Sequence, residues 1–294
     1  MTPRRADLLL ILTTAIWGTT FAIVHVTAAR IPPLALIAVR FTLAAGVLLP
    51  LLLQRGPWPP RLLRNGVLLG GLLFAGFALQ TSGIARTTPA RAGFITGLNV
   101  VFVPLIARLL GERIGRRTLA AVALSVAGLS VLSWGCELPG LGCSTFEESL
   151  PERALGDRLV LLCAFVYAFH TIGVSRWAPD LPAFRLNAVQ VTTTAALAWG
   201  ATFVLDGGMT APPAQTWTSV VYLGLICTVV PFSLMLKAQP YTTPTRASLI
   251  YSMEAVFAAL FSWVWIGEVP GRSVWLGGGL MVAAVVLMES GRDQ

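Results

Sequence analysis

Read along its hydrophobic and polar positions, the chain alternates long apolar runs with short polar breaks. Runs of about 17–25 mostly apolar residues cross a roughly 30 Å hydrocarbon core as a helix, and here Pro, Gly and Arg mark them off. Ten runs predict ten transmembrane helices, over 6–27, 34–54, 65–85, 90–110, 117–134, 157–177, 185–205, 217–237, 245–266 and 273–290. The connections are short except for 135–156. The first run, Leu8 to Ala29, follows Arg4 and Arg5 as a signal peptide would. It exceeds the apolar region of about 7–15 residues that such a peptide carries, and is expected to remain as a helix.

The pattern is written twice. TTPARAGFI at 87–95 returns as TTPTRASLI at 242–250, an offset of 155. At an offset of 150, ADLLLILTTAIWGTTFAI (6–23) meets GDRLVLLCAFVYAFHTIG (156–173), which sets Asp7 on Asp157 and Trp17 on Tyr167, and further along Arg40 on Gln190. Asn99 then meets Glu254, and Glu112 meets Glu268 once one residue is inserted. Each copy holds five spans. Five is odd, so the second copy starts on the opposite side of the membrane, and the expected fold is an all-α integral membrane protein of ten helices in two inverted five-helix repeats. The boundaries are 1–135 for the first repeat, 136–156 for an external loop and 157–294 for the second repeat. Inverted repeats supply two interchangeable arrangements around a site near the midplane, which is transporter architecture. Locally, Thr88 and Thr243 are expected to cap helices whose first position is Pro89 or Pro244, with Arg91 and Arg246 reaching to opposite interfaces.

Composition agrees. The chain is 55% hydrophobic and 12% charged, with mean hydropathy +0.76, against roughly 25% charged residues in soluble domains. The net charge of +8 is spread over loop ends and so excludes a nucleic-acid surface, which needs a basic patch interleaved with aromatics. Alternate loops divide it as fourteen Lys and Arg on one face (4, 5, 55, 61, 64, 108, 113, 116, 117, 176, 185, 237, 246, 292) and six on the other (30, 86, 91, 153, 158, 272). The positive-inside rule then sets both termini in the cytoplasm and 135–156 outside. Cys136 and Cys143 in that loop are spaced to close a small disulfide or to remain two thiols. With no histidine beside them they give no metal site, and no cofactor is expected.

The ten spans in two inverted halves, Trp17-Gly18-x-x-Phe21 in the first helix, T-x-P-x-x-A/G near the fourth and ninth, and G-E-R and G-E after them resemble the EamA-type proteins of the drug/metabolite transporter superfamily. The resemblance covers essentially the whole chain and, within the superfamily, is greatest to the YddG-type exporters of amino acids and related metabolites. It implies a central cavity surrounded by helices 1–4 and 6–9, with helices 5 and 10 at the periphery. It also implies export of small molecules; the expected setting is the bacterial inner membrane and the expected unit a monomer.

Polar side chains deep in a membrane are expensive, and are therefore the candidates for solute binding. All five aspartates and seven of the eight glutamates fall at span ends. Glu254 is the exception. It stands ten residues past Pro244, about 15 Å into the membrane, and its mate Asn99 is equally deep. Arg40 is the one deep basic residue, with Gln190 as its mate. A deep anion and a deep cation complement a zwitterion such as an amino acid; they could equally pair with each other, or bond neighbouring helices, purely as structure. Trp17, Tyr167 and Tyr251 offer aromatic surface with polar tips, or packing, and Gln80 and His170 offer hydrogen bonds. His25 lies nearer the outer interface, and Gly93-x-x-x-Gly97 would let helix 4 approach a neighbour closely. An exporter of lipophilic cations could use Glu254 and the same aromatics. A phosphorylated solute would want several deep cations. An intramembrane enzyme finds no G-x-S-x-G, HExxH or pair of deep acids.

Overall fold

The computed structural model describes residues 1–134, 150–206, 208, 211–266 and 271–289, and there every regular element is helical. Among the described residues ten rods run back and forth. The first is α1 (Pro3–Gly18) with α2 (Thr20–Ala28), followed by α3 (Pro33–Leu53) and α4 (Pro60–Ile84). The fourth is α5 (Pro89–Gly97) with α6 (Asn99–Leu109), and α7 (Arg116–Trp134) closes the first half. The second half holds α8 (Leu150–Trp177) and α9 (Ala183–Leu205), then α10 (Trp217–Gly224) joined by a π-turn, Leu225–Val229, to α11 (Val230–Ala238). It ends with α12 (Pro244–Ser252) plus α13 (Glu254–Ile266) and then α14 (Arg272–Glu289). Seven rods meet the length and apolarity of a membrane crossing by themselves; α7, α12 with α13, and the shorter α14 complete the ten.

The starts follow from sequence. Pro3, Pro33, Pro60, Pro89 and Pro244 each open a helix, where the missing N–H costs nothing. Thr88 and Thr243 accept from the backbone N–H of Arg91 and Arg246 at 3.4 and 3.2 Å, as the repeated signature predicts. One boundary moves. Residues 150–156, expected as the tail of the external loop, are the first turns of α8, which has Pro151 beside its start and Glu152 in its first turn, both favourable there. Cys136, Cys143 and Glu268 lie outside the described residues.

Three rods are interrupted by one residue: Thr19, Leu98 and Met253. Each interruption tightens the helix, with N–H bonds to the carbonyl three residues back: Thr19 to Ile16 at 3.2 Å, Leu98 to Ile95 at 3.1 Å, and Met253 to Ile250 at 3.1 Å. In the first rod the hydroxyls of Thr19 and Thr20 also bond the Ile16 and Trp17 carbonyls, at 2.7 and 2.8 Å, and such back-bonding bends helices. Leu98 and Met253 are repeat mates at the offset of 155, so Asn99 and Glu254 each begin the second half of a broken helix.

Packing crosses between the repeats. α7 lies along α14, away from the centre, and a Cβ on Gly128 would stand 2.7 Å from the Gly277 carbonyl oxygen, so only glycine allows that approach. Gly18 is equally confined, 2.6 Å from Phe257 Cβ by the same measure. Within Gly93-x-x-x-Gly97 only Gly97 is close to a neighbour, at 3.0 Å from Leu129; Gly93 has room to spare. Leu8, Leu12, Leu105, Leu109, Val204 and Val264 stay exposed, as an outer surface facing lipid requires.

Arg91 and Arg246 do not simply reach for the interfaces. Arg91 at the start of α5 pairs with Asp157 in α8, where Thr87 also donates at 2.7 Å. Arg246 at the start of α12 pairs with Asp7 in α1, Nε and Nη2 donating to its two oxygens at 3.1 and 2.8 Å. Each pair fastens the broken helix of one repeat to the first helix of the other, and bidentate geometry favours that over solvation of an isolated guanidinium.

Candidate functional site

The rods converge on a cavity of about 60 Å³, room for a handful of waters. Eight of the nine candidate residues line it: Trp17 from α1, Arg40 from α3, Gln80 from α4, Asn99 from α6, Tyr167 and His170 from α8, Tyr251 from α12 and Glu254 from α13. The ninth, Gln190, stands behind the wall, its Oε1 3.2 Å from His170 Nε2. It belongs to a buried polar chain in which its amide donates to Asn187 at 2.9 Å and Asn187 donates to Ser233 at 2.8 Å. His25 is away from the cavity, its Nδ1 2.9 Å from the Ile84 carbonyl.

Aromatic rings form much of the wall. Trp17 packs on Phe232 and Tyr251 with centroids 5.2 and 5.6 Å apart. Phe77 reaches Phe232 at 6.1 Å and Tyr167 at 6.0 Å. These tilted and edge-on contacts suit ring quadrupoles. Phe77 and Phe232 were not among the sequence candidates, because an apolar ring in a span carries no signal that separates cavity from lipid. Both phenols are engaged: Tyr251 donates to Gln239 at 2.9 Å and Tyr167 to Gln80 at 3.2 Å. Gln80 in turn donates to Thr96 at 3.3 Å.

The charged groups are held separately. Arg40 donates to Thr228 Oγ1 at 2.8 Å and to the Cys227 carbonyl at 3.1 Å, and its guanidinium carbon lies 4.7 Å from the Phe77 ring centroid. Among the described residues Glu254 forms no ion pair within 4.0 Å and no side-chain hydrogen bond, so the alternative of a direct Arg40–Glu254 pair is not what the structure adopts. Two neutral groups on the wall are also unsatisfied: among the described residues, buried Trp17 Nε1 and Asn99 Oδ1 have no hydrogen-bond partner. One is a donor and the other an acceptor. Buried polar atoms rarely lack partners, and a cavity bearing a free donor, a free acceptor, a carboxylate and a guanidinium offers four recognition points to a small polar solute or to water.

Comparison with known proteins gives a consistent result. Residues 4–134 and 154–290 each match the model of the EamA-like transporter family, one match for each half. An uncharacterized transporter of Archaeoglobus fulgidus is 31% identical over 292 residues, covering 97% of this chain and 85% of the relative. The uncharacterized inner membrane transporter YedA of Escherichia coli is 27% identical over 283 residues, covering 94% and 88%. A solved crystal structure shares 24% identity at a TM-score of 0.74, covering 97% of this chain and 96% of that one, and so shares the fold.

Proposed function

The chain belongs to the EamA-like transporter family, and from that premise we propose that it exports amino acids and related small metabolites by alternating access through the central cavity. The observation that carries this reading is the separation of Arg40 from Glu254. Two opposite charges that line one cavity without pairing are matched by a solute bearing one of each. Glu254 and its mate Asn99, both beginning half-helices at depth, would receive the ammonium through a carboxylate and an unsatisfied carbonyl oxygen. Arg40 would take the carboxylate, and Trp17, Phe77 and Phe232 would accept an apolar or aromatic side chain. The cavity's small size supports a contracted state whose walls separate as solute enters.

The asymmetry of basic loops supports cytoplasmic termini in a bacterial inner membrane, and a cavity built wholly within one chain supports a monomeric unit. A second reading, export of lipophilic cations, is favoured by the aromatic wall around a free carboxylate, which suits a cation over π-faces. Uptake into proteoliposomes of a panel of labelled amino acids and of quaternary ammonium compounds, with and without a pH gradient, separates the two. Saturable uptake of amino acids is the expected result. Uptake confined to the ammonium compounds would overturn it in favour of the second reading.

A further inference from the structure

The eighth rod is the irregular wall of the cavity, and its irregularity has a sequence cause. Pro231 has no N–H, so the Cys227 carbonyl four residues earlier loses its helical donor, and the pyrrolidine ring crowds that same carbonyl. The backbone passes this point through the π-turn Leu225–Val229, in which the Thr228 hydroxyl donates to the Leu223 carbonyl five residues back at 2.8 Å. Single π-turns inside α-helices concentrate at functional sites. Here the turn faces α3. Arg40 fills the gap, Nη2 donating to the Cys227 carbonyl at 3.1 Å and Nε to Thr228 Oγ1 at 2.8 Å. Phe77 covers one face of the guanidinium.

Two of the three guanidinium nitrogens are thereby fixed. Nη1 has no hydrogen-bond partner among the described residues, and the side chain, only 3% exposed, lines the cavity. A planar guanidinium held at two nitrogens keeps the third in a defined direction, and a charge-assisted bond to a carboxylate depends on that direction. The repeat mate lacks the arrangement: Gln190 is neutral and tied into the His170–Asn187 chain. We infer that the π-turn is the seat of an anion-recognition site, with Thr228 as the positioning residue that holds Arg40 toward the solute's carboxylate. This inference rests on the amino-acid reading of the cavity.

The test uses the full chain in proteoliposomes. Uptake of the labelled amino acid that the panel transports best is competed with the same unlabelled amino acid and with its methyl ester, which keeps the ammonium and loses the carboxylate charge. Wild-type protein should prefer the acid over the ester. Thr228→Val should narrow that preference about tenfold, the weight of one misaligned charge-assisted bond, and Thr228→Ser, which retains the hydroxyl, should restore it. An unchanged preference in Thr228→Val would overturn the positioning role, as would equal weakening toward acid and ester, the mark of a merely structural residue. A wild-type protein that takes up no amino acid, or does not distinguish acid from ester, would instead overturn the amino-acid reading itself and this inference with it.

Discussion

The two repeats agree where they build the fold and differ where they face the cavity. Each contributes a Thr cap, a helix-opening Pro and an Arg at the start of its broken helix, and each Arg reaches an Asp in the first helix of the other repeat. At the cavity the mates diverge: Asn99 against Glu254, Trp17 against Tyr167, and Arg40 on the wall against Gln190 behind it. Even the shared ion pair is unequal. Arg246 and Asp7 are 9% and 7% exposed, Arg91 and Asp157 36% and 20%. Thr87 donates to Asp157, whereas Thr242 Oγ1, its mate, is buried with no partner among the described residues. Duplication thus supplies a symmetric frame, and the charged poles of the cavity come from departures from that symmetry.

The ion pairs give the largest test of this comparison. Arg246→Gln removes the guanidinium from a buried carboxylate and should cost about 3–5 kcal/mol, seen as a large fall in melting temperature in detergent. Arg91→Gln, at the half-exposed pair, should cost about 1 kcal/mol or less. Equal losses would mean that the two faces are packed alike.

Next in size is the divergence at the midplane. Because Glu254 has no ion-pair or hydrogen-bond partner among the described residues, Glu254→Gln should fold and melt like wild type while transport of a zwitterion falls about tenfold, about 1.4 kcal/mol at the relevant step. Asn99→Ala, removing a neutral acceptor, should reduce transport by only a few-fold, about 1 kcal/mol. Initial uptake rates in proteoliposomes, normalised to folded protein, measure both. Normal transport by Glu254→Gln would remove the carboxylate from the site.

The smallest effect separates two glycines that look alike in sequence. Gly97→Ala pushes a methyl against Leu129 and should cost about 1 kcal/mol, whereas Gly93→Ala meets only Phe21 Cε2, at an ordinary contact distance of 3.9 Å, and should be neutral or stabilising by up to about 1 kcal/mol. Thermal melts of the two variants decide it.

Much of this was legible in the sequence because membrane solvation leaves few options: apolar runs must be helices, and deep polar residues must face a cavity or one another. That logic brought Trp17, Gln80, Tyr167, His170 and Tyr251 to the same wall as Arg40 and Glu254. It placed Gln190 there too, although an amide at that depth is equally well satisfied by His170 and Asn187. The breaks at Leu98 and Met253 carry no proline and depend on tertiary packing, so the pattern did not reveal them. The π-turn did have a signal, Pro231 inside an apolar span. The pairing of Arg91 and Arg246 across the repeats was hidden because sequence spacing says nothing about contacts between residues 66 and 239 positions apart.

The claim beneath all of this is that the two halves are inverted copies, and accessibility of repeat mates to a membrane-impermeant thiol reagent tests it most directly. Ala29 and Pro179 are exposed mates at the offset of 150, each at the end of the first rod of its repeat. In intact cells, with Cys136 and Cys143 replaced by Ser, a cysteine at position 29 should react from outside, and one at position 179 should react only after the membrane is opened. Labelling of both mates from the same side would contradict the inversion.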